Sequence, residues 1–280
     1  MKIYIIATVL SISVILIYHI WKSMNIDLIC DEIGKVKKVK KVKKVKKVKE
    51  ESKENKDKDK LKDSDNKVYD EDGGYASFDE CYFEQKELYP QLNVIDENYD
   101  VIREELFTIR EKRPDLWHKW IENELVVFPI LFFDKWASVA KELCPKTTKI
   151  IMGIPDIKTA SFSCLLPGKQ IQPHKGWGDL ANGILRCHYG IDVPDDCACV
   201  CDNWIVKHKN REWLVFDDAR MHSSYNLTDK YRFILIIDMV RPEYVARGTS
   251  NVKYGDNLLK FIESFYNDSD IKDMRDSLKL

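Results

Sequence analysis

The feature that most limits what this chain can fold into is a stretch with nothing to build a core from. No Phe, Trp or Tyr lies between Trp21 and Tyr69, and within that stretch residues 35–49 hold ten lysines and no acid. A segment without aromatics and dense in charge cannot bury enough apolar area to offset the entropy of ordering it. The chain therefore reads as a head, a spacer and one domain of about 200 residues, a usual size for a single core. The formal net charge of −1 conceals the same split. Removing the ten clustered lysines from the 45 Lys and Arg leaves 35 against 46 Asp and Glu, so the remainder is acidic. With only 11 Gly and 8 Cys in 280 residues, collagen-like and disulfide-dense classes are excluded.

Residues 3–18 read IYIIATVLSISVILIY, and the uncharged run continues to Trp21. Nineteen helical residues at ~1.5 Å each span roughly 28 Å, close to a bilayer core. A transmembrane anchor over residues 1–22 is expected. A cleaved leader is the alternative, but the apolar run is long for one and no A-x-A-like site follows it. Lys22 and the lysine block lean the C-terminal side towards the cytoplasm. In the spacer, Val36, Val39, Val42, Val45 and Val48 recur every three residues. That period fits neither a helix nor a strand, so residues 23–80 are expected to be a disordered Lys-rich linker. The Lys35–Lys49 block suits contact with anionic lipid beside the anchor. Nucleic acid is the weaker partner, because no aromatic interleaves with the lysines to stack on bases.

From Pro90 to about Lys149 the spacing reads as helical, with Leu92, Ile95, Tyr99, Ile102, Leu106 and Ile109 at threes and fours. Pro114 and Pro129 punctuate it, and a second amphipathic stretch runs from Trp136 to Leu143. After Lys149, short β-type runs follow at 161–166, 184–191, 204–207, 213–216 and 233–240, separated by Gly, Pro, Asn and Asp. Strands without intervening helices predict an antiparallel sandwich or barrel. Residues 255–280 return to a helical pattern.

Of six histidines, three have context. His174 follows a turn, His188 stands two residues after Arg186 on one face of a strand, and His222 lies in FDDARMHSSYN before the strand opened by Arg232. Two histidines from separate strands of a small barrel, with two inward arginines, suit a metal that holds an anionic ligand. Cys197, Cys199 and Cys201 alternate, which differs from structural zinc spacing and favours a structural or partly oxidised loop over an adventitious metal site. Asp217-Asp218 is read as turn-forming and hydrogen-bonding rather than as a ligand pair. Of two sequons, Asn226-Leu227-Thr228 and Asn267-Asp268-Ser269, the first lies too close to His222 to carry a glycan.

Four blocks then carry a resemblance: PQLNVIDENYDVIREEL, FSCLLPGKQIQPHKG, LRCHYGIDVP and WLVFDDARMHSSYNLTDKYRFILIIDMVRP, spanning Tyr89 to Tyr244. In this order they resemble the aspartyl/asparaginyl β-hydroxylase family of Fe(II)/2-oxoglutarate-dependent oxygenases. The resemblance implies a mostly β double-stranded β-helix, a jelly-roll or cupin-like barrel with flanking helices, over residues 81–244. A helical tail at 245–280 would follow it. It implies that His174 and His222 bind iron and that Arg232 pairs with the distal carboxylate of 2-oxoglutarate. Ser163, Arg186 and His188 match further cosubstrate-contacting positions, and O2 is the second cosubstrate. Gly176 stands where the wider superfamily has a carboxylate ligand; the resembling family also lacks it, which leaves water, or Asp179, to complete the iron sphere. The loop Trp177–Leu185 is about three residues longer than the resemblance leads one to expect. Because that loop borders the site, it bears on substrate choice.

Three functions follow: hydroxylation of Asp or Asn side chains of a polypeptide at Cβ, the same chemistry on a lipid acyl chain, or a non-catalytic membrane-tethered binding module. Retention of His174, His222 and Arg232 speaks against the last. An acidic peptide calls for basic groups at the mouth, with Lys175 and Lys169 as candidates, whereas an acyl chain calls for an apolar slot. Peptide hydroxylases of this type also work in the secretory lumen, which leaves the side of the membrane open.

Overall fold

The structure, a computed structural model, describes residues 81–121 and 124–278, together with the backbone of 68–69 and 75–76. All belong to one compact unit, Lys60–Leu280. The expected anchor, the lysine block and the linker up to residue 67 lie outside the described residues. Near the linker's C-terminal end, β1 (Val68–Tyr69) and β2 (Tyr75–Ala76) form an antiparallel ribbon. Among the described residues no helix is long and apolar enough to cross a membrane.

After β3 (Tyr82–Phe83) come three helices, α1 (Gln85–Leu88), α2 (Asn93–Glu97) and α3 (Tyr99–Lys112). Strands β4 (His118–Ile121), β5 (Leu125–Phe132) and β6 (Lys135–Trp136) precede α4 (Ser138–Leu143) and α5 (Pro145–Met152). The β-rich half holds β7 (Ile157–Leu165), β8 (Gln170–His174), a short α6 (Gly178–Ala181), β9 (Ile184–Asp192) and β10 (Cys197–Cys201). It continues with β11 (Trp204–Lys207), β12 (Trp213–Phe216), β13 (His222–Asn226) and β14 (Arg232–Val240), and the chain ends in α7 (Asp256–Phe265) and α8 (Asp268–Leu278).

The strands from β7 to β14 divide between two antiparallel sheets. One runs β12-β9-β14-β7, extended by β3 at one edge and by β5 and β4 at the other; the second runs β11-β10-β13-β8. Consecutive strands alternate between sheets except at the β10–β11 hairpin, which is the order of a jelly roll. In β9 and β14 both faces are buried for most of their length, which is why they read as continuous apolar runs. Helix α3 lays Ile102, Leu106 and Ile109 into the core at helical spacing, and Phe107 meets Phe233 of β14 edge-on at 5.2 Å.

The helical expectation for Pro90–Lys149 is corrected in its middle. The segment from His118 to Trp136 forms β4, β5 and β6, and β5 pairs with β7 along the sheet. LVVFPILF is rich in β-branched and aromatic side chains, and Pro129 is accommodated at a register shift between Pro129 and Leu131. Asn226 is fully buried, its Nδ2 donating to the carbonyls of Leu165, Leu166 and Lys230, which closes that sequon to a glycan. All seven cysteines among the described residues are free, and Cys197, Cys199 and Cys201 lie buried in β10.

Candidate active site

Strands β8 and β13 place His174 directly opposite His222, with ring centroids 4.2 Å apart. Each imidazole is fixed through Nδ1, on the carbonyl of Gln172 at 2.7 Å for His174 and of Arg220 at 2.9 Å for His222. A carbonyl can only accept, so Nδ1 carries the proton and Nε2 keeps its lone pair. Desolvation holds both rings below the ordinary histidine range, for His222 by full burial and for the solvent-facing His174 by the protein packed on its inner side. His222 is pushed down to about 3, with the neighbouring His174 adding to the effect. Neutral imidazoles with a free Nε2 are the form in which histidine ligates a metal.

The space above Gly176 is filled by another side chain. A Cβ on Gly176 would lie 1.8 Å from Asp218 Oδ2, so the Asp218 carboxylate occupies the space a side chain at 176 would need. Asp218 is buried; its Oδ1 lies 3.4 Å from His222 Nε2 and also contacts Arg186 Nη1. Burial raises its pKa to about 6 against the pull of Arg186. Among the described residues no group of three or more His, Cys, Asp or Glu is arranged to hold a metal. Asp179 is exposed on α6 and does not line the cavity. Asp217 instead caps the turn by accepting from Ala219 N at 3.0 Å and pairs with Arg241.

Arg232 is 1% exposed at the start of β14. Its Nη1 donates to Ser224 Oγ at 3.1 Å, and among the described residues Nε has no partner and no carboxylate pairs with the guanidinium. Burial works against its charge, and the groups opposing that effect are three thiols, those of Cys197, Cys164 and Cys199. Burial raises each of these thiols to about 11 or 12, so none is an anion to balance the guanidinium. A buried guanidinium without a counter-ion is a place for a carboxylate brought from outside. Ser163, across the sheet on β7, is equally buried with an unpartnered Oγ. His222 and Ser224 share one face of β13, a step of roughly 7 Å at ~3.3 Å per residue, which separates the metal-competent pair from the anion seat.

The structure brings Arg186 and His188 to the same cavity, in different states. Arg186 is occupied: Nε and Nη2 donate to Asp238 Oδ1 and Oδ2 at 2.8 and 3.0 Å, and Nη1 faces Asp218. Burial opposes its charge, but Asp218 and Asp238 outweigh it and raise the pKa. His188 Nδ1 meets His208 Nε2 at 3.1 Å, and burial depresses both rings well below the usual value, helped by Arg232. His208 and Asp238 are absent from the sequence-level candidates. Asp238 carried a signal, since a lone acid in FILIIDMV falls on the same two-residue period as Arg232 and sits opposite Arg186. His208 carried none, because only the packing of the loop after β11 brings it beneath His188.

All six sequence-predicted residues line one cavity of about 490 Å³. Lys175 is at its wall and Lys169 is not. Part of the lining is apolar, with Trp120, Ile121, Phe132, Trp177, Leu180 and Phe261. This apolar part also escaped the sequence reading, because β4, α6 and α7 meet there from distant parts of the chain.

Comparison with known proteins matches residues 96–242 to the aspartyl/asparaginyl β-hydroxylase family. An ornithine lipid ester-linked acyl 2-hydroxylase of Rhizobium tropici is 32% identical over 157 residues, covering 55% of this chain and 55% of the relative. The human aspartyl/asparaginyl β-hydroxylase is 26% identical over 160 residues, covering 53% of this chain and 21% of the relative. The chain thus spans about half the length of the first relative and about a fifth of the second. Among solved structures, a 2OG-Fe(II) oxygenase-family oxidoreductase of Burkholderia pseudomallei covers 46% of this chain and 74% of its own, with a TM-score of 0.31 and 10% identity, too remote to assign anything. Matched over more than half of its length by that family's profile, the chain belongs to the aspartyl/asparaginyl β-hydroxylase family.

Proposed function

We propose that this chain is an Fe(II)- and 2-oxoglutarate-dependent hydroxylase in which His174 and His222 hold the iron and Arg232 seats the distal carboxylate of 2-oxoglutarate. The carrying observation is Arg232: a fully buried guanidinium that lines the cavity and is paired with no carboxylate among the described residues suits an anion that enters. The two histidines fit the metal on independent grounds, being neutral and tied down through Nδ1 with Nε2 left free. The chemistry available when ferrous iron is bound is the coupled consumption of O2 and 2-oxoglutarate, giving succinate, carbon dioxide and one oxygen inserted into a substrate C–H bond.

The protein residues divide the remaining work. Ser163 Oγ and Ser224 Oγ complete the polar floor around Arg232, and His188, held neutral over His208, presents a dipole rather than a charge. Arg186, locked between Asp218 and Asp238, acts as a fixed strut that holds the Asp218 carboxylate beside His222. Burial of the floor excludes water from the reacting end.

Two substrates are carried by the relatives' names: an Asp or Asn residue of a polypeptide, and the ester-linked acyl chain of a lipid. A purely binding role is disfavoured, because an unpaired buried Arg232 costs stability that a non-catalytic descendant would be free to shed. We further propose that residues 1–22 anchor the catalytic domain to a membrane and that the Lys35–Lys49 block meets anionic lipid. The test of the chemistry is succinate release from 2-oxoglutarate by the full chain, dependent on Fe(II) and abolished in His222→Ala. Metal-independent turnover would refute it.

A further inference from the structure

We infer that His208 is a positioning residue: by donating to His188 it turns that ring into a hydrogen-bond donor towards an anion seated at Arg232. The inference rests on the hydroxylase reading and deepens it. His188 stands on β9 opposite Ile236 of β14, and Ile236 shares its face with Arg232 at two-residue spacing; all three line the cavity. The Nδ1 of His188 is spent on His208 Nε2 at 3.1 Å. The two rings are tilted by only 19° with centroids 5.3 Å apart, which at that nitrogen separation is an edge-to-edge hydrogen bond rather than a face-to-face stack. Nε2 is then the nitrogen that His188 has left for a ligand.

Proton accounting fixes the direction of the bond. Both rings are neutral, because burial, reinforced by Arg232, holds each well below the usual histidine range. Two neutral imidazoles carry one proton each, and one of the two protons lies in the shared bond. If His188 donated, His208 would carry its own proton on Nδ1, which is buried without a partner. If His208 donates, the atom left over at its Nδ1 is a bare lone pair. A buried N–H with no acceptor is the rarer of the two defects. With His208 as donor, His188 carries its proton on Nε2 and offers it to the cavity. The opposite arrangement would aim a lone pair at the incoming anion.

The loop that delivers His208 is fitted closely against β9. His208 N donates to Cys197 O at 2.9 Å, Arg211 N donates to Gly190 O at 2.9 Å, and Asn210 Oδ1 accepts from Val193 N at 2.7 Å. A Cβ on Gly190 would lie 2.0 Å from Lys209 O, so glycine two residues after His188 is what lets the loop come in far enough for the rings to meet. His208 is 4% exposed, and the bond to His188 is its ring's one hydrogen bond among the described residues. Burying an imidazole with an orphan nitrogen costs stability. Its contact with a cavity-lining ring gives that cost a purpose.

The first test needs neither metal nor cosubstrate: nitrogen NMR of the full chain with isotope-labelled histidine, assigned with His188→Gln and His208→Gln. The expected spectra show both rings protonated at Nε2 and bare at Nδ1. A His188 protonated at Nδ1 would overturn the inference. The second test is calorimetry of 2-oxoglutarate binding to the metal-free full chain. His208→Leu keeps bulk but has no donor and should weaken binding by about tenfold or more, the share of one hydrogen bond to a charged group, whereas His208→Gln, whose amide donates from a similar reach, should stay within about threefold. Equal weakening in both variants, or unchanged affinity in a folded His208→Leu, would also overturn it. Should His208→Leu fail to fold, the wild-type spectra and His208→Gln decide. A wild-type chain that does not bind 2-oxoglutarate would count against the hydroxylase reading, while the spectra still judge His208 without any ligand.

Discussion

Replacing Arg232 with methionine is expected to make the ligand-free protein more stable and insensitive to 2-oxoglutarate. In the wild type the guanidinium is 1% exposed, keeps one hydrogen bond, to Ser224 Oγ, and leaves Nε without a partner. Substituting buried ionic groups by apolar side chains of similar size is often stabilising by about 1–4 kcal/mol. The lost bond to Ser224 takes back about 1 kcal/mol, and Ser224 Oγ keeps its own bond to Ala198 O at 3.0 Å. The net gain is then at most about 3 kcal/mol, at roughly 2–4 °C in melting temperature per kcal/mol for a domain of this size. Urea and thermal melts without metal measure it. In the wild type, 2-oxoglutarate at about a hundred times its dissociation constant adds roughly 2.7 kcal/mol, and in the variant it adds nothing. A variant destabilised by more than about 1 kcal/mol, or one still stabilised by 2-oxoglutarate, would refute the assignment of Arg232 as an unpaired anion seat.

Three further outcomes are expected. Asp238→Asn leaves Arg186 with Asp218 as its one carboxylate among the described residues and should destabilise the fold by about 3 kcal/mol in urea melts, with Thr159 Oγ1 losing its charged acceptor as well. Gly176→Asp should be destabilising alone because its side chain meets Asp218, and far less so when combined with Asp218→Ala; a double-mutant cycle showing additivity would contradict the overlap. The five described histidines all have depressed pKa values from burial, so they stay neutral in the fold while the unfolded chain protonates near pH 6.5. Stability of the metal-free protein should therefore be full above pH 6.5 and fall below it, by at most about 1.4 kcal/mol per pH unit for each histidine. Asp218, raised to about 6, opposes this between about pH 6 and 4, because the fold then holds a proton that the unfolded chain has released. A pH titration of urea midpoints that stays flat from pH 7 to 5 would contradict it.

How much of this was legible in the sequence depends on range. The strands Trp204–Lys207 and Trp213–Phe216 coincide with their β-type runs; His222 and Arg232 stand out by their place beside a β-type run, and Ser163 enters through a resemblance whose blocks keep their order. Helix α3 could be read because its buried positions repeat at threes and fours within one segment. What escaped depends on contacts between distant segments. LVVFPILF becomes a strand because β7 is there to pair with it, and its Pro129 looked like a helix stop when it marks a bulge. Asp218 reads in the sequence as turn-forming and hydrogen-bonding, and nothing local says that it fills the space above Gly176 forty-two positions earlier in the chain. The apolar part of the cavity lining joins residues 120 and 261, a separation no periodicity can bridge.

The pairing of His174 with His222 has a mechanical side. Strand β8 is the outermost strand of its sheet, is largely exposed, and contains Pro173, a residue suited to an edge because it has no N–H to offer. His174 is the last rung of that ladder, facing His222 of the strand inside it. An ion shared by the two rings would thus rivet the margin of the sheet shut at its free end. Metal loading and edge integrity then become one equilibrium. Amide exchange along Gln170–His174 should slow on loading while the interior strand β14 is unaffected. Starvation for metal would leave an unzipped margin, the kind of surface through which β proteins associate with one another.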